Sequence, residues 1–183
     1  MNRAVSFFHK RATPSAAHLF RAYSTPTTVP EAQVALWTAD GPKVVSSTEV
    51  FKGKVVAFSI PGAFTPVCQN THVPGFVEKA AEFKKLGVRV SCISVNDPFV
   101  LEAFKKECKA EDIEMIGDFT AELCKSMGKT IDATGLGLGV RGDRFAFYAE
   151  DGVIKSFGSE ESPLEVTASS AESMLKEVEK SSV

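Results

Sequence analysis

The sequence predicts an α/β fold: a central mixed β-sheet flanked by helices. Three observations carry this. From about residue 34 onward, strand-like and helix-like apolar patterns alternate along the chain. Residues 54–60 (KVVAFSI) are apolar at successive positions, the pattern of a strand buried on both faces. Asp151-Gly152, set between two β-rich runs, is a strong hairpin turn and supplies antiparallel strands as well.

A chain of 183 residues has room for one domain with a proper core and an appendage. Residues 1–30 hold Arg3, Lys10, Arg11 and Arg21 and no acid, which leaves 17 basic against 23 acidic residues downstream and a net charge of −6 there. An acidic remainder argues against a nucleic-acid binder. No apolar run approaches the roughly 18 residues of a membrane span. The acid-free start, rich in Arg, Ser, Thr and Ala with Val5, Phe7, Phe8, Leu19 and Phe20 interspersed, reads as an organelle transit peptide over residues 1–24. Arg21-Ala22-Tyr23-Ser24 looks like a mitochondrial processing site, so the expected location is the mitochondrial matrix, ahead of a basic tail or a plastid address. Residues 25–33 then read as a linker, and 34–183 as the folded domain.

Within that domain Gln33–Thr38 is a weak strand, Asp40-Gly41 a turn and Lys43–Val45 a second short strand. The strong strand at 54–60 runs into Pro61-Gly62, which stop it. Val73, Phe76, Val77, Ala80 and Phe83 recur at three- and four-residue steps, predicting a helix to about Leu86 with Gly87 as its cap. Pro74 lies inside that span and is expected to kink or divide it, with residues 66–73 a separate short turn. Val88–Val95 is a strand. Asn96-Asp97-Pro98 opens a helix carrying Phe99, Leu101, Phe104 and Cys108. Ile113–Ile116 is a short strand, and Glu122–Met127 a short helix closed by Gly128. The glycine-rich loop Thr134–Val140 has neither the lysine nor the register of a phosphate cradle and suits a packing or subunit-contact surface. Arg144–Ala149 alternates like a strand, Val153–Phe157 returns from the hairpin, and Thr167 opens a last helix with Ala171, Met174, Leu175 and Val178 on one face. Strand, helix, strand, helix, hairpin and helix make a thioredoxin-like layout with no second domain.

The chemistry concentrates in Pro61-Gly62-Ala63-Phe64-Thr65-Pro66-Val67-Cys68. Thr65 followed by Pro66 is a helix-start signal that places Cys68 in the first turn. Free amides and the helix dipole favour the thiolate there, which is the nucleophilic form. Thr65 can hydrogen-bond into the same space. A single cysteine near a helix start is more commonly a small buried hydrophobe.

The whole eight-residue string resembles the PxxxTxxC active-site motif of peroxiredoxins, in the wording of the type II (Prx5-like) branch. Gln69–Phe76 is similar to the same branch, and the resemblance runs from about Trp37 to the C-terminus. It implies a thiol-specific peroxidase that reduces hydrogen peroxide and alkyl hydroperoxides through Cys68, by way of a sulfenic acid, with no metal, haem or flavin cofactor. It implies that Pro61 shields the thiolate and Thr65 supports the peroxide, beside the amides of Val67 and Cys68. The arginine of the type II pattern directly precedes the aromatic residue opening the penultimate strand, which matches Arg144 before Phe145. Arg141 is the alternative, otherwise a surface or interface charge, and Arg89 a third.

Recycling turns on the remaining cysteines. Plant-like type II enzymes carry a resolving cysteine in the position and wording of Cys92, so the resemblance makes Cys92 the resolving candidate. Cys92 is also readable as a buried strand residue. A cysteine heading a helix and another in mid-strand are expected to have Cα atoms beyond the ~7 Å a disulfide spans, so the first turn has to unwind for them to join. Direct reduction of the sulfenic acid by an outside thiol stays open beside it. The resemblance names glutaredoxin with glutathione, or thioredoxin, as reductant. The animal route, with a resolver near the C-terminus, is expected to be ruled out because no cysteine follows Cys124. Cys108 and Cys124 read as packing residues, and no CxxC pair is present. His72 reads as hydrogen-bonding support for the active-site loop rather than a metal ligand; His9 and His18 fall in the transit peptide. The family resemblance also implies a homodimer, with Phe64, Pro66 and the Gly135–Gly139 loop as contacts. A reading of another class keeps the same cysteine but makes the protein a redox sensor or chaperone-like binder.

Overall fold

The computed structural model describes residues 26–181. The transit-peptide reading of residues 1–24 lies outside the described residues. Among the described residues nine strands fall into two sheets. The large sheet has seven strands: β1 (Gln33–Thr38), β2 (Gly41–Ser46), β3 (Lys54–Ser59), β4 (Arg89–Ser94), β5 (Ile113–Gly117), β8 (Phe145–Glu150) and β9 (Val153–Ser159), in the order β2-β1-β5-β4-β3-β8-β9. β3, β4 and β5 run parallel, while β1–β2, β1–β5, β3–β8 and β8–β9 are antiparallel, so the sheet is mixed. A two-stranded ribbon, β6 (Thr130–Asp132) with β7 (Val140–Gly142), stands beside it. The helices are α1 (Ser47–Val50), α2 (Val73–Lys85), α3 (Pro98–Glu107), α4 (Glu122–Ser126) and α5 (Ala171–Ser181).

Successive apolar residues in β3 serve two cores, because side chains alternate across a strand. Val56, Phe58 and Ile60 join Phe76 and Phe83 of α2, Leu101 and Phe104 of α3, and Met174 and Val178 of α5. Val55 and Ala57 join Val50 and Phe51, Leu123 and Cys124, and Phe145 and Phe147 on the opposite face. β8, expected to alternate, is buried on both faces for the same reason. Each side chain this size contributes about 1.5–3 kcal/mol when removed from water.

Several expectations are corrected. Within the linker proposed for residues 25–33, residues 27–29 are tied down: Thr28 bridges Val153, the Val29 amide donates to the Gly152 carbonyl at 2.8 Å, and the Ile154 amide donates to the Thr27 carbonyl at 2.9 Å. Val29 and Ala32 are buried, so the segment covers the outer strand β9, whose backbone groups otherwise face water. The last helix begins at Ala171 rather than Thr167, and its cap is Ser170, whose hydroxyl oxygen accepts from the Ser173 amide. Phe99, on the helix that Asp97-Pro98 opens, is exposed, its ring in an edge contact with Trp37.

The proline in α2 does not divide the helix. Residues 66–67 are helical, Cys68–His72 make one wide π-turn, and α2 follows without a break. The Val73 amide donates five residues back, to the Cys68 carbonyl. Pro74 has no N–H, and in an α-turn its ring presses on the carbonyl four residues earlier. The wider turn relieves that clash, and π-turns of this kind gather at functional positions.

Candidate active site

β3 delivers the chain to Pro61, where the ladder ends after the Ile60 amide donates to the Ile93 carbonyl at 2.9 Å. The turn that follows is held from below by Asn96: its Oδ1 accepts from the Ala63 amide at 3.0 Å and from the Ser94 hydroxyl at 2.7 Å. Phe64 takes φ 62°, a left-handed conformation that costs a non-glycine residue roughly 1–2 kcal/mol. Thr65 caps the helix through its carbonyl, which accepts from the Gln69 amide at 2.9 Å. Its hydroxyl donates to the Gly62 carbonyl at 2.8 Å. That hydroxyl has one proton to give, so towards its other neighbours Thr65 presents acceptor lone pairs.

Cys68 is fully buried in the second turn-forming position after Pro66, where backbone amides have no partner four residues back. Arg144, 1% exposed, reaches it from the start of β8. Its Nη2–H donates to Cys68 Sγ at 3.3 Å, its Nη1–H to His72 Nδ1 at 2.8 Å and its Nε–H to the Pro163 carbonyl at 2.8 Å. A guanidinium only donates, so His72 Nδ1 is an acceptor and the ring proton sits on Nε2. From there it donates to the Ser169 carbonyl at 2.9 Å. Burial, helped by the charge of Arg144, pulls His72 down to about 4 against the acceptor at Ser169, so the imidazole is neutral.

A further carboxylate sits behind these groups. Glu160 is buried, and its two oxygens accept four hydrogen bonds of 2.7 Å, from the amide and hydroxyl of Thr167 and of Ser169. Burial pushes this carboxyl up, but those bonds outweigh it and hold Glu160 at about 2.

Above Arg144 opens a cavity of about 240 Å³, walled by Pro61, Thr65, Val67, Leu136, Leu138 and Leu164. Arg144 is the charged side chain in its lining. The mouth is apolar, with Leu136 80% and Leu164 76% exposed.

The residues picked out from the sequence divide cleanly. Cys68, Thr65, Pro61, Val67 and Arg144 come together. Arg141 does not reach Cys68; it donates to the Leu138 carbonyl at 2.8 Å and the Val95 carbonyl at 3.2 Å, pinning the glycine-rich loop. Arg89 is at the far end of β4, paired with Glu114 at 3.2 Å. Cys92 is fully buried in the same cluster as Cys68, and burial, with Cys68 and Cys108 nearby, raises its thiol well above the usual range. Cys108 packs on the edge of that cluster, and Cys124 lies in the other core. All four cysteines are free thiols. Asn96, Glu160, Ser169 and the Pro163 carbonyl were not found from sequence. The nearest signal was the hydroxyl-rich stretch after Glu160, which offers donors to a nearby acid.

The Redoxin family model matches residues 24–175. The chain is 44% identical over 145 residues to the chloroplastic peroxiredoxin-2E-2 of Oryza sativa, covering 75% of this chain and 64% of the rice protein. It is 40% identical over 134 residues to the mitochondrial peroxiredoxin-2F of Arabidopsis thaliana, covering 72% and 67%. Among solved structures, reduced Prx3 of Vibrio vulnificus in complex with hydrogen peroxide superposes with TM-score 0.80 at 34% identity, over 85% of this chain and 98% of that one. A thioredoxin-like sheet, a Cys68 met by Arg144 and a redoxin match over most of the chain place the protein in the redoxin family, among the type II, Prx5-like peroxiredoxins.

Proposed function

We propose that the protein is a thiol peroxidase that reduces hydrogen peroxide and alkyl hydroperoxides at Cys68. The observation that carries this is the Arg144 guanidinium donating to Cys68 Sγ beneath a narrow apolar cavity. The thiolate attacks one peroxide oxygen, the O–O bond breaks, and Cys68 becomes a sulfenic acid while the leaving oxygen takes up a proton and departs as water or alcohol. Charge grows on that leaving oxygen, so donors already aimed at it lower the barrier most. Arg144 and the first-turn amides of Val67 and Cys68 are those donors. Thr65 accepts the hydrogen bond of the peroxide O–H, and Pro61 closes the wall against water.

The sulfenic acid returns to thiol through glutathione with glutaredoxin, or through thioredoxin. The burial of Cys92 favours direct attack by the outside thiol as the prompt step, with a Cys68–Cys92 bond forming only after the π-turn opens. The exposed Leu136 and Leu164 at the mouth, with the half-exposed Phe64 in the turn before Thr65, support a homodimer through this edge; sedimentation as a monomer at micromolar concentration refutes it. The acid-free, arginine-bearing N-terminus supports import into the mitochondrial matrix, which a fluorescent fusion of residues 1–33 tests directly.

The enzyme reading is tested by peroxide consumption with each reductant. Steady turnover that vanishes in Cys68→Ser is the expected result. One equivalent consumed, with no turnover by any reductant, leaves the protein a sensor instead.

A further inference from the structure

We propose that Glu160 is a positioning residue for the peroxide site: its carboxylate folds the 160–170 loop so that two of the loop's carbonyls hold Arg144 and His72 against Cys68. The inference rests on the functional reading above and deepens it. The path is continuous in hydrogen bonds. Glu160 Oε1 takes the Thr167 amide and the Ser169 amide and hydroxyl, and Oε2 takes the Thr167 hydroxyl, all at 2.7 Å. This fixes Ser169, whose carbonyl receives His72 Nε2–H at 2.9 Å. It also fixes the span between Glu160 and Thr167, which carries the Pro163 carbonyl that receives Arg144 Nε–H at 2.8 Å. At the other end the Glu160 amide donates to the Arg144 carbonyl at 3.1 Å, so the loop starts from the arginine it later clasps.

The guanidinium is thus held on three edges, by Pro163, His72 and Cys68 Sγ. Only one of those contacts is to the reacting atom. The other two set the plane in which Arg144 faces it, and both depend on the loop. Without Glu160 the buried amide and hydroxyl of Ser169 lose their acceptor, and the exposed Thr167 loses its tie to the start of the loop. Arg144 keeps its charge but not its aim.

The carboxylate works here by geometry. Glutamine can keep the three bonds at Oε1, and its amide N–H can donate to the Thr167 hydroxyl, which then accepts. Glu160→Gln therefore preserves the loop, and Glu160→Ala does not. The test follows two readouts in the full chain: the rate of Cys68 oxidation by hydrogen peroxide, and the His72 Nε2–H proton resonance, protected when it is bonded to Ser169. E160A is expected to slow oxidation about 100-fold, the scale of a misplacement near 1 Å, and to lose the resonance. E160Q is expected to keep the resonance and most of the rate. Wild-type rate and resonance in a folded E160A overturn the proposal. So does an E160Q as impaired as E160A, which would make the charge the active quantity. If E160A does not fold, Glu160→Asp keeps the charge but draws the carboxylate back by one methylene from all four donors; an unchanged rate and resonance there also overturn it. Should the unaltered protein fail to react with peroxide, the functional reading falls, while the His72 resonance still decides the role of Glu160.

Discussion

At the scale of the residue, Arg144 and His72 form one unit with Cys68, and each is best probed by a change that spares the packing. Arg144→Ala empties a fully buried site and strands the acceptors at His72 and Pro163, so it confounds stability with chemistry. Arg144→Lys keeps the charge but loses the planar fork that meets three partners at once. It is expected to slow oxidation of Cys68 by about 10²–10³, the usual loss when a fixed donor to developing charge is removed. Arg141→Lys, on a group that binds the glycine-rich loop, is expected to leave the rate near wild type. The reverse pattern in stopped-flow rates would transfer the role to Arg141. His72 makes a separate prediction about pH. Its folded value of about 4 lies below the ordinary 6.5, so the unfolded chain binds the extra proton between those values. Stability is then lost as pH falls from about 6.5 to about 4, by up to about 3 kcal/mol, and levels off below. Glu160 acts in a lower window: held at about 2 against 4.5, it withdraws stability as pH falls from 4.5 towards 2. Urea midpoints taken at half-unit steps check both, and a wild-type curve flat from pH 6.5 to 4.5 refutes the first. His72→Gln is expected to flatten the upper window alone.

At the scale of the element, the 160–170 loop is held by close backbone contact as well as by Glu160. A Cβ at Gly158 would collide with the Ala168 carbonyl, so only glycine lets β9 pass this near the loop. Gly158→Ala is expected to destabilise by about 1–3 kcal/mol, as overpacking does, and to lower the peroxide rate by pushing off the loop that carries Pro163 and Ser169. A variant that loses stability but keeps full rate would separate the loop from the site. None of this was readable beforehand, and the reason is physical. Strands β3, β4 and β5 and helices α2 and α3 announce themselves because apolar periodicity is local. The string from Pro61 to Cys68 and the Arg144-Phe145 pair are local too, and they point to Cys68 and Arg144 together. Ser169 lies 97 residues from its partner His72, and Glu160 finds its donors only once the loop closes. The ribbon of β6 and β7 is not legible because three residues are too short a run to set a period, and half of the six are exposed. The π-turn was missed because Pro74 signals a broken helix, whereas a wider turn absorbs the same clash.

At the scale of the whole molecule, the buried cysteines divide between the two cores. Cys68 and Cys92 share one core under α2, α3 and α5, while Cys124 is confined to the other. Joining the first pair means pulling Cys68 out of a cluster that also holds Phe58, Phe76 and Val73. Phe58 and Phe76 stack with centroids 3.9 Å apart, and the His72 ring lies against both, so the π-turn cannot unwind alone. The opening is a local unfolding of this core, with a free energy below that of the whole domain. The cross-link should therefore lag behind the chemistry. After one equivalent of peroxide, intact mass is expected to show first the gain of one oxygen on Cys68, and only later the loss of two hydrogens relative to the reduced protein. Urea below the unfolding transition exposes the buried surface and should speed the second step while leaving the first unchanged. Cys92→Ser should stop at the first product and still turn over with glutathione and glutaredoxin. A cross-link that appears without the oxygen adduct, at a rate indifferent to urea, would mean that Cys92 reaches Cys68 within the native fold, and the core would then be more mobile at the π-turn than its packing allows.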